Sequence, residues 1–284
     1  GFKTEGTLSE LEKDVALVVE DTSFYAESGG QTGDFGIIKS DTGRFVVENT
    51  EKIADCVLHH GKLVEGTLEA GQKVKTKVDR QRYATAKNHT ATHLLQWALQ
   101  EVLGDNVYQQ GSLVSPEYLR FDFTYPKALT AEQLKEVENL VRTKITEALP
   151  ISFHVMPIEE AKKLGAMALF GEKYGDTVRV IAIGAKDASQ ISQALSKEFC
   201  GGIHVENTAT IAGFKIVKEE SVSAGVRRIT ALTGQPLLDY LVQRSDIVDE
   251  LGRLLKAPQE QVPERVEKLM QDNKRLKKEI KQAA

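Results

Sequence analysis

Thr85 to Leu103 reads TAKNHTATHLLQWALQEVL. Its apolar positions Ala91, Leu94, Leu95, Ala98, Leu99 and Val102 recur at helical spacing, which predicts a helix with one buried face. Gly104 follows as a C-terminal stop. On either side of this helix the period changes. Upstream, the first 80 or so residues read as β-structure: Asp14 to Val19 is a short apolar strand and Arg44 to Glu48 (RFVVE) another. Gly29, Gly30, Gly33 and Gly36 crowd the turn between them, where positive φ or close backbone approach is wanted. Downstream, Tyr118 to Thr124 alternates, with Leu119, Phe121 and Phe123 on one face and Arg120 and Asp122 on the other, as in a half-buried strand. Thr130 with Gln133 resembles a capping box, opening a helix through Leu134, Val137, Val141 and Ile145 to the stop at Pro150. A shorter helix is predicted over about Ile158 to Leu164, with strands at Val178–Ile183 and Phe214–Val217. Strands and helices mix without a regular βαβ rhythm, so the fold class is α+β rather than a doubly wound sheet.

The end of the chain has another pattern. A helix is predicted around Leu237 to Leu255. Beyond Pro258, the residues Val262, Val266, Leu269, Asn273, Leu276 and Ile280 fall at alternating intervals of four and three, a heptad seam with Asn273 in a core-type position. The plainer reading is an amphipathic helix packed on its own domain. At 284 residues the chain has room for about two domains. With 41% hydrophobic and 27% charged residues, a disordered, collagen-like or membrane protein is excluded. The longest nearly unbroken apolar stretch, Val178 to Ala185, is far short of the roughly 20 residues that cross a bilayer. No signal segment opens the chain, and its first residue, Gly1, suggests a processed or excised piece. The net charge of −4 does not by itself advertise nucleic acid. Two cysteines, Cys56 and Cys200, are too few for a disulfide framework, and a reducing, cytoplasmic setting is the default.

Four potential soft-metal ligands sort into two close pairs. His89 and His93 stand four apart, about one helical turn, so both imidazoles project from one face. Cys200 and His204 lie in FCGGIH, where Gly201 and Gly202 let the backbone fold tightly enough for thiolate and imidazole to converge. Together they are a sensible tetrahedral set for one Zn²⁺. Either pair alone is weak, because His-x-x-x-His on a helix is more often surface or core histidine. His59, His60 and His154 lack such spacing and read as structural, and Cys56 as a small buried residue. The Glu of His-Glu-x-x-His is missing, since Thr90 and Ala91 follow His89, so peptide hydrolysis recedes. The glycine-dense segment TSFYAESGGQTGDFG (Thr22 to Gly36) is on composition a tight turn. QQGSLVSPEYLRFDF (Gln109 to Phe123) is expected to place a polar turn straight after the histidine helix. Basic residues gather in KVKTKVDRQRYATAK (Lys73 to Lys87), in Arg227–Arg228, and in KRLKKEIK (Lys274 to Lys281). Solvated faces are the usual fate of such runs; the first leads directly into His89.

Taken together, FYAESGGQTGDFG, NHTATHLL, QQGSLV…LRFDF, GAMALFGEKYGDTVRV, FCGGIH and GVRRITALTG resemble the editing half of the bacterial alanyl-tRNA synthetase family. Related editing domains stand alone or occur in threonyl-tRNA synthetase. The resemblance implies a β-barrel-like, glycine-motif subdomain over residues 1–83, a zinc-binding α+β editing core over 84–234, and a helical, coiled-coil dimerisation segment over 235–284. It implies zinc on His89, His93, Cys200 and His204, one ion per chain. It puts Gln109 and Thr22 at the catalytic centre, the first holding the ester or water and the second sensing a serine hydroxyl. Gly29, Gly30 and Gln31 would bind substrate, and Lys73, Arg80, Arg82, Lys87, Arg227 and Arg228 would meet tRNA phosphates. The implied partner is tRNA(Ala) mischarged with serine or glycine, with a homodimer formed through the last helices and no membrane. Ile203 departs from the threonine common at that position in the family. The aminoacylation domain is expected to lie outside this chain. A zinc-stabilised RNA-binding module without activity, or a metallohydrolase of small esters, are the alternative readings.

Overall fold

The computed structural model describes residues 7–8, 15–168 and 174–283. Asp14 of the first expected strand, and Leu169 to Lys173 within GAMALFGEKYGDTVRV, lie outside the described residues. The chain divides into two compact units, Gly1–Gly234 and Gln235–Ala284.

In the first unit the strands β1 (Thr7–Leu8), β2 (Val15–Leu17), β3 (Gly36–Lys39), β4 (Gly43–Ile53), β5 (Cys56–Gly66), β6 (Leu68–Glu69) and β7 (Lys75–Val78) come before any helix among the described residues. Five of them pair in the order β2-β5-β4-β3-β7, and β1 pairs with β6. All of these ladders are antiparallel. Phe24, Ile38, Phe45, Val47 and Leu63 form the apolar core of this part. The long hairpin of β4 and β5, of which the sequence reading gives only Arg44 to Glu48, carries His59 and His60. His59 is fully buried. Its Nδ1 lies 3.0 Å from the Leu17 carbonyl, which only accepts, so that nitrogen carries the proton. His60 pairs with Glu51 and His154 with Ser152, each within its own sheet. Cys56 is half-buried and free.

Helix α1 (Gln81–Leu103) begins four residues earlier than its periodicity predicts and ends at Gly104, whose N–H reaches Gln100 O. Ala91, Leu94, Leu95, Ala98 and Leu99 are all fully buried, the face that the sequence pattern marks. Next come β8 (Gln109–Val114), β9 (Leu119–Thr124), α2 (Ala131–Thr146), β10 (Ile151–Pro157), α3 (Ile158–Lys163), β11 (Thr177–Ile183), β12 (Ser196–Phe199), β13 (Phe214–Ser223) and β14 (Val226–Thr233). They form two antiparallel sheets, ordered β13-β14-β9-β8 and β10-β11-β12. The capping box is present: Gln133 N donates to Thr130 Oγ1 while Gln133 Oε1 accepts from Thr130 N. That helix ends at Thr146, short of Pro150. Gln109 to Val114 forms a strand, not the polar turn expected from its composition. Its pairing with β9, bulged between Gln109 and Gly111, overrides the weak local preference of Gln-Gln-Gly-Ser. Helix α1 packs with Phe121, Phe123, Val137, Val141, Ile181 and Ile229 in one core, so both sheets and α2 hold its position.

The second unit contains α4, which starts at the unit boundary (Gly234–Leu255), and α5 (Val262–Ala283). Val262 is buried near Gly252, whereas Leu269, Leu276 and Ile280 of the heptad seam are more than half exposed. No helix among the described residues is long and apolar enough to cross a membrane.

A buried amide fixes the register of α1 against its surroundings. Asn88 Nδ2 donates to Ser115 O at 2.8 Å, and the Thr233 hydroxyl donates to Asn88 Oδ1 at 2.7 Å. Asn88→Ala leaves both partners unpaired in the interior, each costing about 1–3 kcal/mol. Urea unfolding is expected to show a loss of roughly 2–4 kcal/mol with an unchanged m-value. A midpoint equal to the parent's would refute this anchoring role.

Candidate metal centre

Helix α1 presents His89 and His93 with nearly parallel rings, centroids 5.4 Å apart and planes 7° apart. The loop after β12 brings His204 alongside, with its ring 4.3 Å from His89 and 5.1 Å from His93. Cys200 Sγ stands 3.5 Å from His89 Nε2 and 3.2 Å from His204 Nε2. The four ligand atoms all lie within 4.8 Å of one another. Zn–N and Zn–S bonds of about 2.0–2.3 Å put tetrahedral ligand atoms roughly 3.3–3.8 Å apart, so only a small contraction separates this cluster from a zinc shell.

The outward nitrogen of each imidazole is already committed. His89 Nδ1 lies 2.7 Å from Gln31 Oε1, which also accepts the Ile203 N–H at 2.9 Å; an oxygen in that position makes His89 Nδ1 a donor. Thr90 spends its one proton on Ala86 O at 2.9 Å, so its oxygen accepts from His204 Nδ1 and Val205 N, both at 3.2 Å. His93 Nδ1 stands 2.9 Å from Glu198 Oε2, out of line for a full hydrogen bond but close enough for an ion pair. Glu198 is itself steadied by the Ser196 hydroxyl at 2.7 Å. With Nδ1 protonated on all three rings, Nε2 is the nitrogen that each ring can offer on the side of the thiolate, that of His93 once its imidazole is neutral. This is the arrangement in which outer partners select the tautomer of a metal-binding histidine.

The residues fit a cation on other grounds too. Buried His93 Nε2 has no hydrogen-bond partner among the described residues, which leaves a ring nitrogen for an ion; Gln31 Nε2, also without a partner there, is a donor and calls for an acceptor instead. Burial opposes charge on Cys200, but His89 and His204 outweigh it and hold the thiol well below its ordinary range. Burial likewise opposes a charge on His93, yet Glu198 and Cys200 push its imidazole up to about 10. His204 is pushed down to about 3, by burial and then by His89. A buried thiolate and carboxylate beside histidine nitrogens with free lone pairs suit a divalent metal of zinc's type.

Backbone geometry makes the cluster possible. A Cβ on Gly202 would collide with the His89 imidazole, so glycine is required there. Arg179 Nη1 donates to Cys200 O at 3.2 Å and Gly202 O at 2.7 Å, pinning the loop from the neighbouring strand. Gly202 N–H points to Cys200 Sγ at 3.4 Å.

The glycine-rich segment closes the other side. Ser28 and Gln31 exchange backbone hydrogen bonds around Gly29 (φ 57°) and Gly30 (φ 80°), a tight turn needing positive φ at both central positions. Gly30 O accepts from Val114 N at 2.7 Å, and a Cβ on Gly30 would strike Ser112. Gln109 Nε2 donates to that same Ser112 hydroxyl at 3.3 Å. Glycine turn, Gln109 strand and metal cluster are thus contiguous through Gln31. Thr22 lies further along: its hydroxyl is 2.8 Å from His59 Nε2, which must accept because Nδ1 holds the ring proton. Among the residues expected at phosphates, Lys73 and Arg80 are exposed and Lys87 half-buried. Three others are held by carboxylates: Arg82 by Asp34, Arg227 by Glu219, and Arg228 by Asp122 in a two-pronged pair.

Sequence reasoning missed Glu198, Thr90 and Arg179. Strand alternation carried a signal for one of them, since residues 198 and 200 share a face of β12 and its continuation. Thr90 meets His204 across 114 positions, which no local pattern reveals.

Comparison with known proteins matches residues 3–82 to the family described as tRNA synthetases class II (A). Residues 178–230 match the threonyl and alanyl tRNA synthetase second additional domain. The chain is thus aminoacyl-tRNA synthetase sequence at both ends of its first unit. It belongs to the alanyl-tRNA synthetase family: it is 48% identical to the alanine–tRNA ligase of Parvibaculum lavamentivorans over 95% of its length, and 45% identical to that of Fervidobacterium nodosum over 99%. The Delftia acidovorans ligase is 47% identical over 93% of the chain. The chain spans 29–31% of the length of these relatives.

Zinc can bind only when His93 is neutral. Its imidazole, protonated below about 10 in the metal-free site, must therefore give up its proton. Titrating zinc into metal-free protein near neutral pH is expected to release about one proton per ion, with affinity rising as pH rises. Glu198→Gln should weaken zinc binding roughly 10- to 100-fold in chelator competition and release less than the parent. Equal affinity in parent and variant would remove Glu198 from the account.

Proposed function

We propose that this chain is the editing segment of an alanine–tRNA ligase and hydrolyses the ester joining serine or glycine to tRNA(Ala). The single observation that carries this reading is the cluster of His89, His93, Cys200 and His204, its imidazoles turned Nε2-inward against the glycine-rich turn. The parent enzyme would join alanine to the same tRNA. Alanine differs from glycine by one methyl group and from serine by one hydroxyl, and a small pocket rejects neither well: a methylene is worth only about 1–3 kcal/mol. A second, hydrolytic site that recognises the hydroxyl restores accuracy.

When bound, zinc polarises an ester oxygen or lowers the pKa of a bound water. The chain's own groups do the rest. Gln31 Oε1 is occupied by two donors, which fixes the amide and leaves Nε2 a buried N–H donor without a partner among the described residues. We assign that donor, with Gly29 and Gly30 beside it, to an oxygen of the bound substrate. Gln109 and Ser112 border the same turn and position the ester or the attacking water. Thr22 Oγ1 donates to His59 and accepts from Phe24 N, so it would meet serine's hydroxyl as an acceptor through its remaining lone pair. Phosphate contacts would fall first to Lys73, Arg80 and Lys87; Arg82, Arg227 and Arg228 would share their guanidinia with the carboxylates that hold them. The exposed seam of α5 supports a homodimer through the last helices. A ligating thiolate fits a reducing, cytoplasmic compartment.

One observation favours a second reading. Four protein ligands close a tetrahedral shell, the pattern of structural zinc, so the alternative is a zinc-stabilised tRNA-binding module without hydrolytic activity. Ser-tRNA(Ala) deacylation separates the two. The parent chain is expected to release serine, with His93→Ala and Cys200→Ala reducing the rate at least 100-fold while tRNA binding persists. In Thr22→Val, serine release should slow or alanine release appear. A zinc-loaded parent that binds tRNA and releases no serine would leave only the module.

A further inference from the structure

Beside the metal cluster the sheet carries a surface that the hydrolytic reading leaves unused. On β10, Phe153 and Val155 face outward, 39% and 76% exposed. Arg179, the register partner of Val155, shares that face. Its guanidinium carbon lies 4.3 Å from the Phe153 ring centroid. Arg179 is not free to swing, because Nη1 is held by Cys200 O and Gly202 O. Among the described residues no carboxylate pairs with it. The Phe153 ring is 6.1 Å from the ring of the ligand His204.

An exposed aromatic ring against a pinned, planar cation is the surface on which unpaired nucleobases stack. The distance from the metal cluster suits the chemistry. In an aminoacylated RNA the reacting ester and the terminal base hang from one ribose, so the base must rest within a single nucleoside's reach of the reacting carbon. We propose that Phe153 and Arg179 form a stacking subsite for the 3′-terminal nucleobase of the aminoacylated RNA. This rests on the deacylase reading and adds to it how the acceptor end is seated. The subsite acts on the ground state and the transition state alike, so it lowers KM and leaves kcat unchanged.

The test compares seryl-adenosine with the same serine ester on an abasic ribose, using the zinc-loaded full chain. The parent is expected to favour the adenosine ester roughly 5- to 100-fold in KM. Phe153→Leu should erase the preference without changing kcat, and Phe153→Tyr should restore it. Phe153 is exposed, so these variants keep the fold. A parent that hydrolyses both esters with equal KM, or a preference that survives in Phe153→Leu, overturns the subsite and leaves the deacylase reading intact. If the parent hydrolyses neither ester, Ser-tRNA(Ala) deacylation decides on that reading, and adenosine monophosphate decides on the subsite alone. Saturable quenching of indole fluorescence in Phe153→Trp, beyond that of Trp97 in the parent, supports it; no quenching overturns it.

Discussion

Three contacts on the far side of three imidazoles, two hydrogen bonds and one ion pair, govern this molecule. Gln31, Glu198 and Thr90 each face one Nδ1, and the rings of His89, His93 and His204 are thereby turned with Nε2 toward Cys200. An imidazole has two equivalent-looking nitrogens, and without such partners its tautomer and rotation are unset. The partners come from three separate places: the glycine-rich turn, the strand before Cys200, and α1 itself. For them to meet, the first unit must close around α1, and its shared core does this. The candidate metal centre is therefore where the packing of the unit and its chemistry are the same constraint.

Gln31 gives that constraint a functional edge. Its carbonyl oxygen joins a metal ligand to the Ile203 backbone, while its backbone belongs to the tight turn docked on β8. Anything that moves the turn moves His89. The turn also lies against Ser112 and, through it, Gln109. A substrate held there would feel the metal site without each residue touching the ion. The charge distribution follows the same logic. Arg82 and Arg228, expected to face phosphate, are also paired with the carboxylates of Asp34 and Asp122. Arg179 holds the Cys200–Gly202 loop by two carbonyls, with no carboxylate paired to it among the described residues.

Much of this was legible in the sequence, for reasons that can be named. The spacing His89–His93 is a property of one helix, and Cys200–His204 of one glycine loop, so each pair could be read locally. The buried face of α1 and the Thr130 capping box are likewise local patterns that tertiary structure did not override. Gln109 to Val114 read as a turn because Gln, Gly and Ser have weak strand preference; pairing with β9 supplies what the residues lack. The strands β5, β10 and β14 went unread because polar residues such as His59, His154 and Arg228 interrupt their alternation. The outer partners of the histidines were out of reach for another reason. Their roles depend on which nitrogen faces which oxygen, and that exists only after the chain has folded.

Zinc K-edge X-ray absorption of the purified, zinc-replete chain tests the central claim most directly. The account predicts a four-coordinate shell of three imidazole nitrogens at about 2.0–2.1 Å and one sulfur at about 2.3 Å. A shell without sulfur, or a chain that retains no zinc, would contradict it.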